Sequence, residues 1–163
     1  MRKKINNSID PDYKKILKQD MTTRKDLEFL AQKLNIPNLQ VNWVSDYIQN
    51  PDIPQILNLG NDQIQGTHWT ATYKGKYFDS FGLPQPNNKL KDLEWVQFHI
   101  QDQKRGGCGQ YCLLWIYYMM IDEEDKFYNM FCMEYHLTVD LINQKSFNIF
   151  FPKNSFFSPK YFS

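Results

Sequence analysis

The stretch from Thr67 to Phe81, THWTATYKGKYFDSF, decides the fold. Two runs rich in Thr, Tyr and Trp flank Lys74 and Gly75, a pair suited to a two-residue turn, so the stretch reads as a β-hairpin. A turn at that place sets the register: Tyr73 pairs with Lys76, and Thr70 falls opposite Asp79. His68 then lies opposite Phe81, on the same face as Asp79 and diagonal to it. Diagonal neighbours on antiparallel strands are within reach of polar side chains. One hairpin thereby carries a histidine and a carboxylate to one patch.

Downstream, Gln101 to Met120 reads QDQKRGGCGQYCLLWIYYMM. Gly106 and Gly107 lead Cys108 into a run from Tyr111 to Ile121 so apolar that it predicts a buried helix. Cys108 then sits at or near a helix N-terminus, where unpaired N–H groups and the positive end of the dipole favour an anion. That setting lowers a thiol pKa and makes the cysteine a candidate nucleophile. Cys112, one turn later on the same helical face, reads as a core residue, and Cys132, His99 and His136 read as structural.

Working outward, residues 1–20 are polar, are interrupted by Asp10 and Pro11, and predict an N-terminal arm. Thr22 or Thr23 offers an N-cap to a helix in which Leu27, Leu30, Ala31 and Leu34 recur, ending near Asn35 ahead of Pro37. Leu39, Val41, Trp43 and Val44 suggest a short extended piece, and Ile56, Leu57 and Leu59 a brief strand before the polar loop from Gly60 to Gly66. Beyond the hairpin, a short helix is expected from Asn88 to Leu93 and a strand from Trp95 to Gln101, with Val96, Phe98 and Ile100 on one face. After the Cys108 helix, Asp122 to Asp125 is an acidic break able to cap the next helix, and Phe127, Met130, Phe131, Tyr135, Leu137, Val139, Leu141 and Ile142 supply the apolar positions of one or two further helices. The tail, 147–163, alternates aromatics with Pro152 and Pro159 and is expected to pack over the surface or a sheet edge.

A length of 163 residues suits one domain over 1–163, of α+β class. A formal net charge of +1 gives no reason to infer a nucleic-acid partner. Three cysteines argue against a disulfide framework and for a reducing compartment. The three histidines lack metal-ligand spacing, so neither a metal nor another cofactor is expected. The charged N-terminus and the absence of a long apolar run predict neither a signal peptide nor a membrane span.

His68, Asp79, Gln101 and Cys108 together supply a base, its orienting group, an oxyanion donor and a nucleophile. In that order they resemble the cysteine proteases of the adenovirus proteinase (adenain) type and the SUMO-specific proteases, which run His, Asp or Glu, Gln, Cys. The matching motifs are Gly66-Thr67-His68-Trp69, Phe78-Asp79-Ser80-Phe81-Gly82, and Gln101 seven residues before Cys108-Gly109, with Cys112-Leu113 following. The layout from Leu59 to Gly82 looks most like the compact maturation proteases of virophages and virus-like DNA transposons, and the likeness spans Leu27 to Met120.

The resemblance implies a papain-like core of adenain type, a central mixed sheet packed against the Cys-bearing helix and further helices. It implies His68 as general base and then acid, Asp79 as its orienter and Cys108 as the acyl-forming nucleophile. The Gln101 side chain and the Cys108 backbone N–H would form the oxyanion hole, with Gln103, five residues before Cys108, as the alternative to Gln101. Trp69 and Gly107 are the implied substrate contacts.

The implied activity is a monomeric viral maturation endopeptidase that cleaves capsid or scaffold precursors after small residues such as Gly, in the virion and host cytoplasm. The alternative is an isopeptidase that removes a ubiquitin-like modifier ending in Gly-Gly. An acetyltransferase would need a coenzyme A pocket, of which the sequence carries no sign. A binding scaffold without chemistry would have no use for all four reactive residues.

Overall fold

The computed structural model describes Ile16 and residues 23–60, 68–100 and 107–131. The arm, the polar loop ending at Gly66, the aromatic tail, and with them Gln101, Gln103, Cys132 and His136, lie outside the described residues.

Helix α1, Arg24–Lys33, starts at Thr23, whose hydroxyl accepts the Asp26 N–H at 3.2 Å while the Asp26 carboxylate accepts the Thr23 N–H at 2.8 Å. This reciprocal capping satisfies amides that a helix start leaves without partners. Leu27, Leu30 and Ala31 form the buried stripe. The helix stops where Asn35 turns left-handed, with φ 54°, and the N–H groups of Ile36 and Asn35 bond back to Ala31 and Gln32. Those two bonds are the Schellman closure, with Asn in the place more often held by Gly.

Five strands follow: β1 Gln40–Trp43, β2 Gln55–Asn58, β3 Trp69–Tyr73, β4 Lys76–Phe78 and β5 Glu94–Trp95. They lie side by side in chain order as one mixed sheet. β1 and β2 run parallel, as do β4 and β5, and β3 is antiparallel to both its neighbours. The hairpin has the register expected from its turn: Tyr73 faces Lys76, Thr72 faces Tyr77 and Ala71 faces Phe78. Lys74 and Gly75 both have positive φ, 50° and 78°, as a type I′ turn requires.

That register carries one row of side chains across four strands, Val41, Ile56, Ala71 and Phe78, all buried on a single face. Against this row lies α2, Cys108–Met120, with ten of its thirteen residues buried. Ala71, the smallest side chain in the row, lets the helix come close. Trp115 stacks on Phe78 with ring centroids 5.2 Å apart, and Phe127, from the helical residues 124–131, meets Phe78 edge-on at 5.7 Å. The opposite face covers Leu57 and Tyr77 with Tyr47 and Leu90 from the connecting loops. Each such apolar side chain stabilises the fold by about 1.5–3 kcal/mol at full burial.

Two expectations need correction. The strand expected from Trp95 to Gln101 is regular only over Glu94–Trp95. Val96 N–H still bonds the Tyr77 carbonyl and Ile100 N–H the Ser80 carbonyl, but between them Phe98 N–H closes on the Val96 carbonyl at 3.0 Å. That tight turn breaks the ladder. Val96 and Phe98 keep their buried alternation, whereas Ile100 is only partly buried. The helix expected from Asn88 to Leu93 is a single 3-10 turn, Asn88–Leu90, capped by the Asn87 side chain. The Gln85 side-chain amide donates to the carbonyls of Leu90 and Leu93, which lie at and beyond the end of that turn. Among the described residues, no helix is long and apolar enough to cross a membrane.

Candidate active site

The open end of the hairpin and the first turn of α2 meet at one edge of the core. His68 leads into β3, Asp79 follows β4 and Cys108 opens α2. Their convergence follows from packing. The apolar face of α2 lies along the hairpin, so the N-terminus of the helix falls beside the strand ends where His68 and Asp79 stand.

Asp79 is held by its own turn. Its Oδ1 accepts the Phe81 N–H at 2.8 Å and its carbonyl accepts the Gly82 N–H at 2.8 Å. Carboxylates make such local turns readily, and Gly82 completes this one with a φ of 72°, which favours glycine. Ser80 and Asp79 are buried, Asp79 to 1% exposure, so its charge must be paired. The partner is His68, whose Nε2 lies 2.8 Å from the same Oδ1. The His68 side chain retains 11% exposure, enough for one edge of the ring to face outward.

With Nε2 committed to Asp79, Nδ1 is the nitrogen left for a reacting partner, and His68 is hydrogen-bonded to the Cys108 thiol. Cys108 follows Gly107, whose φ of 112° is open to glycine alone and swings the chain into the helix. The first intrahelical bond runs from Tyr111 N–H to the Gly107 carbonyl, which leaves the Cys108 N–H without an intrahelical acceptor.

The electrostatics reinforce each other. Burial pushes the Cys108 thiol up, but hydrogen bonds from His68 and from the main-chain amides of Trp69 and Gly109, with the attraction of the imidazolium, outweigh it and leave the thiol below its ordinary value. Burial opposes charge on His68 too. Hydrogen bonds to Asp79 and Cys108 and the attraction of both anions win, raising the imidazole to about 9. The two shifts together favour the thiolate and imidazolium forms of the pair. Cys112 differs throughout: it is fully buried, its thiol donates to the Trp69 carbonyl at 3.4 Å, and burial drives its pKa well up. It is an inert core thiol, as expected.

Three of the four expected reactive residues, His68, Asp79 and Cys108, thus come together, while Gln101 and its alternative Gln103 lie outside the described residues. Trp69 is partly buried against the core next to His68, and Gly107 precedes the nucleophile. His99 is partly buried. Sequence reasoning did not assign a role to the Phe81 ring, which stacks on His68 with centroids 4.3 Å apart and planes 8° from parallel. The signal was present, since the hairpin register set Phe81 opposite His68. The main-chain donors from Trp69 and Gly109 carry no such signal, because any residue type supplies an N–H.

Compared with protein-family models, curated proteins and solved structures, the chain matches none of them.

Proposed function

We propose that this chain is a cysteine endopeptidase of the adenain type, a maturation protease that cleaves viral capsid or scaffold precursors after small residues such as Gly. One observation carries the reading: a thiol at the start of a buried helix is hydrogen-bonded to an imidazole whose far nitrogen is held by a buried carboxylate. Nucleophile, base and orienter in that geometry are what acyl transfer through sulfur requires.

The Cys108 thiolate attacks the scissile carbonyl carbon, forming the C–S bond while the carbonyl electrons move onto oxygen. The Cys108 N–H, at the positive end of α2, faces that oxyanion, and the Gln101 amide is the proposed second donor. As the oxyanion collapses, the C–N bond breaks and His68 gives its Nδ1 proton to the leaving amine. Neutral His68 then takes a proton from water, whose oxygen attacks the thioester and expels the thiolate. Asp79 holds the ring through both transfers and stabilises its cationic form. In this reading Trp69, next to His68, and Gly107, next to Cys108, are the substrate contacts, and small residues are the preferred substrate side chains. The setting that follows is the virion and host cytoplasm, with the protein acting as a monomer.

The reading is tested with a peptide library carrying Gly at varied positions, incubated with the wild-type protein and with Cys108→Ala. Cleavage after Gly by the wild type alone is expected. Equal cleavage by Cys108→Ala, or none by either protein, overturns it. A reactive ubiquitin-like probe that labels Cys108 while the library stays intact would redirect the assignment to a deconjugating isopeptidase.

A further inference from the structure

The Phe81 side chain and main chain act on the same group from two directions. The ring lies flat against the imidazole, 4.3 Å between centroids at 8°. The main-chain amide donates at 2.8 Å to Asp79 Oδ1, the same oxygen that accepts from His68 Nε2. Phe81 is half-buried, and it sits two residues after Asp79 in a turn closed by Gly82. Ring and carboxylate anchor thus come from one residue, the ring from its side chain and the anchor from its main chain.

We propose that Phe81 is the positioning residue of the His68 imidazole, its ring holding the base in the plane that serves Cys108 while its amide fixes the carboxylate that orients it. The inference rests on Cys108 and His68 being the reactive pair, but not on any particular peptide substrate. The physical reason is geometric first. Hydrogen bonds at the edge of an imidazole leave its plane free to tilt, and a flat apolar surface on one face limits that tilt. The second effect is electrostatic, since an aromatic face carries partial negative charge and attracts a cation placed against it. The charged groups that face this ring among the described residues are Asp79 and Cys108, both of which also favour the cation. The stack shields one face of the Nε2 to Oδ1 hydrogen bond from water as well.

Substitution separates the two parts, because every replacement other than Pro keeps the main-chain amide. The measurement is the pH dependence of Cys108 alkylation by iodoacetate, which needs no substrate, reacts with the thiolate and is drawn in by the imidazolium charge, so its rate falls as His68 loses its proton. Phe81→Leu should lower the imidazolium limb, near pH 9 in the wild type, by about 0.5–1 pH unit. Phe81→Tyr, which restores an aromatic face, should return it to the wild-type position. Circular dichroism and thermal melting show whether each variant is folded. If folded Phe81→Leu keeps the wild-type limb, or if Phe81→Tyr moves it as far as Phe81→Leu does, the ring only fills space and the proposal fails. An intact alkylation profile in a protein that cleaves no peptide would overturn the proposed protease and leave this inference standing.

Discussion

The hairpin and α2 lie against each other and are tied at both ends, but the two ties differ in kind. At the turn end, Lys74 Nζ donates to the Met119 carbonyl at 2.7 Å and to Asp122 at 2.9 Å. Lys76 pairs with Glu124 at 2.9 Å, Glu124 accepts from the Tyr128 hydroxyl, and that hydroxyl accepts from Trp115 Nε1 at 3.1 Å. α2 itself closes there in a second Schellman arrangement, with Asp122 at φ 58° and the Glu123 N–H bonded to Tyr118. These side chains are held to one another and to the main chain by fixed contacts. At the open end, His68 and Cys108 are hydrogen-bonded to each other and both are partly exposed, so the pair can meet a ligand. The turn end holds helix and hairpin in alignment, and the open end uses the alignment. Truncating a side chain should therefore cost activity at the open end and stability at the turn end.

The largest expected effect is complete loss of thiol-dependent cleavage and of rapid alkylation in Cys108→Ala, with an unchanged melting temperature; a loss of several degrees would break the division between the ends. His68→Ala should lower turnover by about 10²–10⁴-fold, the range for a positioned general acid and base, as initial rates on the same peptide would show. Asp79→Asn removes a charge facing the imidazole, so the alkaline limb should fall by roughly 1–3 pH units. The sign follows from the direction of the shift. Asp79 favours imidazolium, and without it the proton leaves His68 at lower pH. For the wild type the same reasoning gives a bell, rising as the thiol ionises and falling as His68 loses its proton near pH 9.

At the turn end, Glu124→Ala leaves Lys76 and the Tyr128 hydroxyl without their acceptor and should destabilise the protein by about 1–3 kcal/mol. Chemical denaturation would measure this, with turnover per folded molecule unchanged. Lys74→Met is the smallest effect, under about 1 kcal/mol, because the lysine and Asp122 are well exposed. A large fall in turnover from either variant, without unfolding, would show that the turn end also tunes the site.

The turn and its register were legible because Lys74-Gly75 allows one tight connection, and from that register came the meeting of His68 with both Asp79 and Phe81. The helix start at Cys108 was legible because two glycines precede an unbroken apolar run. The break after Trp95 was not, since alternation of Val96 and Phe98 looks the same in a strand as in an extended segment interrupted by a tight turn. The bonds at the turn end were also hidden. No spacing in the sequence links Lys74 and Lys76 to Met119, Asp122 and Glu124, which the packing of α2 brings beside them.

The central claim is that Cys108 rests as a thiolate paired with the His68 imidazolium. The most direct measurement is the ultraviolet absorbance of thiolate as a function of pH, taken as the difference between the wild type and Cys108→Ser so that the other cysteines cancel. The account predicts one thiol ionising clearly below the ordinary value of 9, a step that moves up toward 9 in His68→Gln. A difference spectrum with no thiolate until pH 9, or a step that ignores the loss of His68, would contradict it.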